Sequence, residues 1–187
     1  MTIIKTGLAT TAEEVAVLPS LDRGVGNHTA VLRVVIADDH PLFRQAVRGA
    51  IERYPGLALV GEAEDGQQAL ELIDTLEPDV AVLDHRMPAL TGAEVCEVLH
   101  GREYRPATAL LMLSAFEDAD LVWGAVSSGA AGYIGKGASP NDICKAIEEV
   151  GRGGIAFTPS ASSSITEGFA RHFGRSDHLG QKRPRQR

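Results

Sequence analysis

The chain has no basic excess, no paired cysteines and no long apolar run, and each absence removes a class of protein. With a formal net charge of -7 over 187 residues, its body lacks the positive surface that coats nucleic acid by neutralising phosphates. Cys96 and Cys144 stand apart, without CxxC or Cys/His spacing. That excludes a disulfide scaffold and a zinc site, and it fits two small core residues in a reducing compartment. No stretch is long enough to span a bilayer, and the N-terminus lacks the basic segment, apolar run and cleavage pattern of an export signal. The expected location is cytoplasmic.

What is present is a 44% hydrophobic chain, enough for one core of roughly 100 to 150 residues plus tails. Residues 1–30 mix Thr, Glu, Gly and Pro without sustained periodicity and read as a flexible leader. Residues 31–154 carry the core. Residues 155–187 read as a linker helix, from Ile165, Phe169 and Phe173 at four-residue steps, followed by a basic disordered tail from Gly174. Arg171, Arg175, Lys182, Arg183, Arg185 and Arg187 crowd that end, where Asp177 is the only carboxylate.

From Val31 onward, short apolar runs alternate with segments of helical period, the signature of strands and crossover helices around a parallel sheet. The strands are expected at Val31–Ala37, Leu57–Gly61, Val80–Leu83, Ala107–Leu113 and Gly132–Ile134, apolar throughout because helices cover both faces. Between them, Leu42, Phe43, Ala46, Val47, Ala50, Ile51 and Tyr54 share one helical face behind Pro41. Asp65 with Gln68, Thr91 with Glu94, and Ser139 with Asp142 each form a capping pattern. A further helix over Glu117–Ser128 has no equally clear cap. The fold class is therefore α/β, a doubly wound five-stranded parallel sheet whose ligands bind beyond the carboxyl ends of the strands.

Those ends carry the chemistry. Asp38-Asp39 follows the first strand, Asp84 the third, Ser114 the fourth and Lys136 the fifth. Phosphoryl transfer needs an acceptor, neutralisation of the equatorial oxygens and donors that hold the transferred group. Asp84 is the candidate acceptor, a carboxylate able to form an acyl phosphate. Asp38 and Asp39, with Asp84 and a backbone carbonyl such as that of Arg86, suit Mg2+, which takes oxygen ligands and one or two carboxylates. Lys136 supplies a compact positive charge to a phosphate oxygen and Ser114 a hydroxyl. Asp38-Asp39 could also merely cap the helix at Pro41, and His85 reads as a solvent-facing loop residue. Trp123 is either a partner contact or ordinary packing.

The motifs VVIADDHPLFRQAV (34–47), GEAEDGQQAL (61–70), PDVAVLDHRMP (78–88), LLMLSAF (110–116) and GAAGYIGKGAS (129–139) closely resemble the receiver domain of two-component response regulators, in the branch named after NarL and FixJ. The resemblance covers about residues 31–154. It implies a flavodoxin-like sheet with strand order 2-1-3-4-5, Asp84 as phosphoacceptor, Asp38 and Asp39 as metal ligands, and Lys136 as the phosphate contact. It also makes Ser114 the hydroxyl switch and Tyr133, read as half buried, its aromatic partner. A sensor histidine kinase as phosphodonor and self-catalysed phosphotransfer and dephosphorylation follow from the same resemblance, which also admits a homodimer. His85 after the acceptor, and Gly135 and Gly137 around the lysine, depart from the family pattern, where bulkier or apolar residues are usual.

Members of this branch usually continue into a helix-turn-helix output domain, and its LTxREx-type opening is not visible here. Two outputs stay open: a receiver acting only through protein contacts, or a transcription regulator whose basic tail or partner touches DNA. A doubly wound enzyme is disfavoured. Aspartyl phosphatases carry a DxD nucleophile after the first strand and flavin proteins a Ser/Thr/Gly phosphate loop; this chain has Asp38-Asp39-His40-Pro41 there.

Overall fold

The computed structural model describes residues 16–18, 30–103 and 107–173. In chain order these form β1 (Ala16–Leu18), β2 (Leu32–Ala37), α1 (Pro41–Ile51), β3 (Leu57–Ala63), α2 (Gly66–Leu76), β4 (Val80–Asp84) and α3 (Gly92–His100). There follow β5 (Ala109–Ser114), α4 (Ala119–Ser127), β6 (Gly132–Gly135), α5 (Pro140–Gly151), β7 (Ile155–Phe157) and α6 (Pro159–Phe173). One sheet contains all the described strands, in the order β1-β7-β6-β5-β4-β2-β3. Within its parallel part, β3-β2-β4-β5-β6 is the 2-1-3-4-5 arrangement expected from the sequence.

The alternation of side chains along each strand divides the core into two layers. Val80 and Val82 of β4, Leu111 and Leu113 of β5 and Ile134 of β6 face α1 and α5, packing on Val47, Ile51, Ile143 and Ile147. Ala81, Leu83, Met112 and Tyr133 face the other way, onto Ile73 of α2, Val95 and Leu99 of α3 and Val122 of α4. Every residue of β4 is buried, as a central strand covered on both faces requires. Cys96 and Cys144 lie one in each layer, and burial pushes their thiols up to about 12 and about 11. They are small apolar core residues, as the spacing suggested.

Local chemistry starts the helices where it was read. Asp65 accepts from the Gln68 N–H at α2, Ser139 from the Asp142 N–H at α5, and Thr91 forms a reciprocal capping box with Glu94 at α3. Pro41 occupies the first turn of α1, and α4 begins at Ala119 behind Asp118 with no side-chain cap.

The sheet is wider than the five expected strands. Ile155–Phe157, assigned to the linker, is a strand parallel to β6, and Ala16–Leu18, within the leader, pairs antiparallel with β7. Runs of three residues carry too few side chains to register as a period; β7 owes its strand geometry to the open edge of β6, and β1 to the edge that β7 then presents. The linker helix exists as α6, with Ile165 packed on the core. The rest of the leader and the tail from Gly174 lie outside the described residues. Among the described residues no helix is long and apolar enough to cross a membrane.

Candidate functional site

Four parallel strands deliver polar groups to one end of the sheet. Asp38 follows β2, Asp84 ends β4, Ser114 ends β5 and Lys136 follows β6. All but Lys136 are buried, Asp38 at 1%, Asp84 at 4% and Ser114 at 2% exposure. The Lys136 ammonium sits 2.8 Å from Asp38 Oδ2 and 2.8 Å from Asp84 Oδ2, bridging the two carboxylates. Its stem is positioned by the backbone, because Lys136 N–H donates to the Ser114 carbonyl at 2.7 Å. The Phe43 ring lies under the ammonium at 4.8 Å.

Two buried carboxylates share one cation, and the protonation of Asp84 and of the amine reflects it. Burial pushes the Asp84 carboxyl above its ordinary range; the Lys136 contact opposes this and the Asp38 charge adds to it. For Lys136, burial works against the charged form, yet its contacts with Asp38 and Asp84 outweigh that and hold the amine above its ordinary range.

A third carboxylate completes the acidic end. Asp39 is exposed and its Oδ1 lies 2.5 Å from His40 Nδ1, the N-cap residue of α1. Oxygen or nitrogen atoms of Asp38, Asp39, His40 and Asp84 all lie within 4.8 Å of one another. Asp38 Oδ1 accepts from the His40 N–H at 2.8 Å. Asp38 Oδ2 is shielded from solvent and has no hydrogen-bond donor in line with it, its contact with Lys136 being an ion pair without hydrogen-bond geometry. A buried, incompletely satisfied carboxylate oxygen beside two further carboxylates fits a hard cation such as Mg2+.

The remaining expected residues stand one step back. Ser114 Oγ accepts from the Phe116 N–H at 3.1 Å. Tyr133 is fully buried, deeper than the half-buried position expected, because β7 covers β6 and turns it into an interior strand. Its hydroxyl donates to the Phe116 carbonyl at 2.8 Å; burial pushes the phenol up, against a contact with the Ser114 hydroxyl. Ser114 and Tyr133 thus meet on the backbone of Phe116.

Two residues have larger parts than their local sequence signalled. His85, expected to face solvent, is partly buried, its Nδ1 is shielded without a hydrogen-bond partner, and its ring lies 6.5 Å from that of Tyr133. Burial pulls the imidazole below its ordinary value, opposed by Asp84. Glu117, read only as the first residue of a helix, receives three hydroxyls from the start of α6. The departure of His85 from the family pattern was the available signal for the first. The second had none, because its partners lie some forty residues along the chain. Trp123 is partly buried and packs against α6, with Phe169 edge-on at 5.9 Å and His172 stacked at 5.5 Å.

A doubly wound sheet with paired acids, a strand-end carboxylate, a hydroxyl and a lysine at its carboxyl edge defines the receiver class. The family model of the response regulator receiver domain matches residues 34–148, and the chain belongs to that family. It is 42% identical over 129 residues to a protein of Mycobacterium tuberculosis named as the transcriptional regulatory protein NarL, covering 69% of this chain and 59% of that one. The solved signal receiver domain of NarL from the same organism superposes with a TM-score of 0.64 at 42% identity, over 66% of this chain and 98% of the domain. A LuxR-family two-component response regulator from Aurantimonas sp. gives a TM-score of 0.67 at 33% identity, over 74% and 97% of the two chains. The chain spans about three-fifths of the length of the curated relatives it matches.

Proposed function

We propose that this chain is a NarL-type response regulator that accepts a phosphoryl group on Asp84 from a sensor histidine kinase and thereby switches its output surface. The observation that carries the reading is the Lys136 ammonium set 2.8 Å from both Asp38 and Asp84. A protein that needed only a stable core would gain little from two buried carboxylates around one amine. A receiver needs that arrangement, because the incoming phosphoryl oxygens require a fixed cation beside the acceptor.

In the transfer, an Asp84 carboxylate oxygen attacks phosphorus while the bond to the donor's imidazole nitrogen breaks and its electron pair stays on that nitrogen. The product is an acyl phosphate. Lys136 holds one of its oxygens and the Ser114 hydroxyl turns to donate to another. Asp38, Asp39 and Asp84, with the Arg86 carbonyl, would hold Mg2+, which when bound would supply charge neutralisation on the phosphoryl oxygens. The chain acts as a signalling switch rather than a turnover enzyme, with self-catalysed transfer and hydrolysis its only chemistry. Control of transcription is the output suggested by the names of the relatives; action through protein contacts alone is the alternative.

Intact-protein mass spectrometry with acetyl phosphate and Mg2+ tests this reading. The wild-type chain gains the mass of one phosphoryl group, and Asp84→Asn gains none. An Asp84→Asn chain that still takes up label removes Asp84 from its role.

A further inference from the structure

We propose that Glu117 is a clasp tying the loop after β5 to α6, so that phosphorylation releases α6 from α4. The inference rests on the function proposed above and adds to it the element that moves.

Three hydroxyls at the start of α6 converge on one residue. Thr158 Oγ1 donates to Glu117 Oε1 at 2.6 Å, Ser160 Oγ to Glu117 Oε2, and Ser164 Oγ to the Glu117 carbonyl at 2.7 Å. Hydrogen bonds to a charged carboxylate are stronger than neutral ones. The carboxylate reaches this place because residue 135 is glycine. A Cβ there would lie 2.7 Å from Glu117 Oε1, so a residue of ordinary size before the lysine would push the carboxylate aside. Gly135, one of the departures from the family pattern, is the space in which the clasp closes.

Beyond the clasp, α6 is held by the fully buried Ala161 and by Ile165 packed on the core that Val122 and Ala125 of α4 share, and by a close approach and ring contacts on α4. Gly168 comes so near that an added Cβ would sit 2.7 Å from Trp123 Cβ. Phe169 and His172 flank the Trp123 ring, and Arg171 pairs with Asp120 at 3.1 Å in the open. An exposed pair of this kind contributes little. Among the polar contacts of the docking, the clasp is therefore the strongest.

The same short loop carries the switch. Phe116, the neighbour of Glu117, gives its N–H to Ser114 Oγ and its carbonyl to the Tyr133 hydroxyl. When the Ser114 hydroxyl turns toward a phosphoryl group on Asp84, the Phe116 N–H loses its acceptor and the loop shifts. Glu117 shifts with it and leaves the fixed hydroxyls of Thr158, Ser160 and Ser164. Because coupling between sites is reciprocal, loosening α6 must in turn favour the phosphorylated state.

Hydrogen exchange read by mass spectrometry on the full chain tests the clasp, with beryllofluoride and Mg2+ as the phosphoryl mimic. Exchange over residues 159–173 should rise by about 5-fold or more when the mimic binds. Glu117→Ala and Gly135→Ala should show raised exchange there without the mimic, with α1 to α3 protected as in the wild type. Both variants should also bind the mimic about 5-fold more tightly or better. Binding with unchanged or slowed exchange in α6 overturns the clasp and leaves the proposed function standing, as does wild-type exchange in the two variants. Failure to bind the mimic at all overturns the proposed function, and this inference with it.

Discussion

Asp38 and Asp84 compete for one ammonium, and that competition makes the site a store of destabilisation. Asp84→Asn removes a buried charge while keeping the side chain's shape, and should stabilise the fold by about 1 kcal/mol at neutral pH, read from denaturant melts. The sign with pH follows from the raised Asp84 value. Its protonated form favours the folded state, so the wild-type chain gains on the variant as pH falls through that value, and the gap closes below the ordinary 3.8. A gap that widens on acidification would contradict the assignment. Lys136→Met has the opposite effect, leaving the buried carboxylates facing each other without a counter-charge. It should cost roughly 2 kcal/mol, less than a deeply buried pair would because the amine is 15% exposed. Equal stability of this variant and the wild type would mean the amine does not hold the acids. Asp38, Asp84, Ser114 and Lys136 were legible in the sequence because each sits just beyond an apolar run, where strand ends place it. The burial of His85 and Tyr133 was not, since it depends on which elements cover the strand end rather than on neighbours in the chain.

Among the elements, helix starts were read almost residue for residue because a cap is a local bond between groups three apart. Asp65→Ala removes the acceptor of the Gln68 N–H and should destabilise the chain by about 1 kcal/mol without altering phosphoryl uptake. Loss of uptake in that variant would show that α2 bears on the acceptor. The parallel strands were read as well, since each is a continuous apolar run of a length that strands favour. β7 and β1 escaped because three residues carry no period, and what makes them strands is the unpaired edge of β6 for β7 and the outer edge of β7 for β1. That edge matters to the site, because β7 seals Tyr133 against solvent and leads directly into the hydroxyls that meet Glu117.

At the scale of the whole molecule, the proposed switch needs the sheet as a rigid floor and the loops at its carboxyl edge as the moving parts. Leu111, fully buried in β5 and packed in the α1 and α5 layer, measures the floor: Leu111→Ala should cost about 3 kcal/mol by leaving a cavity. A loss below about 1 kcal/mol, which would mean that the site collapses around the void, would count against a rigid floor. That helices cover both faces of the sheet was legible from the pattern alone, because strands apolar throughout leave neither face to solvent. The attachment of α6 was not, because it depends on contacts between residues far apart in the chain, Thr158 with Glu117 and Gly168 with Trp123.

The central claim is that one aspartyl oxygen at the end of β4 carries the phosphoryl group. Borohydride reduces an acyl phosphate of aspartate to homoserine, and mapping that residue by peptide mass spectrometry after treatment with acetyl phosphate and Mg2+ locates the acceptor directly. Homoserine at position 84, dependent on Mg2+ and lost in Asp39→Ala, is the result expected. Homoserine at another aspartate, or none under conditions that label a known receiver, would contradict it.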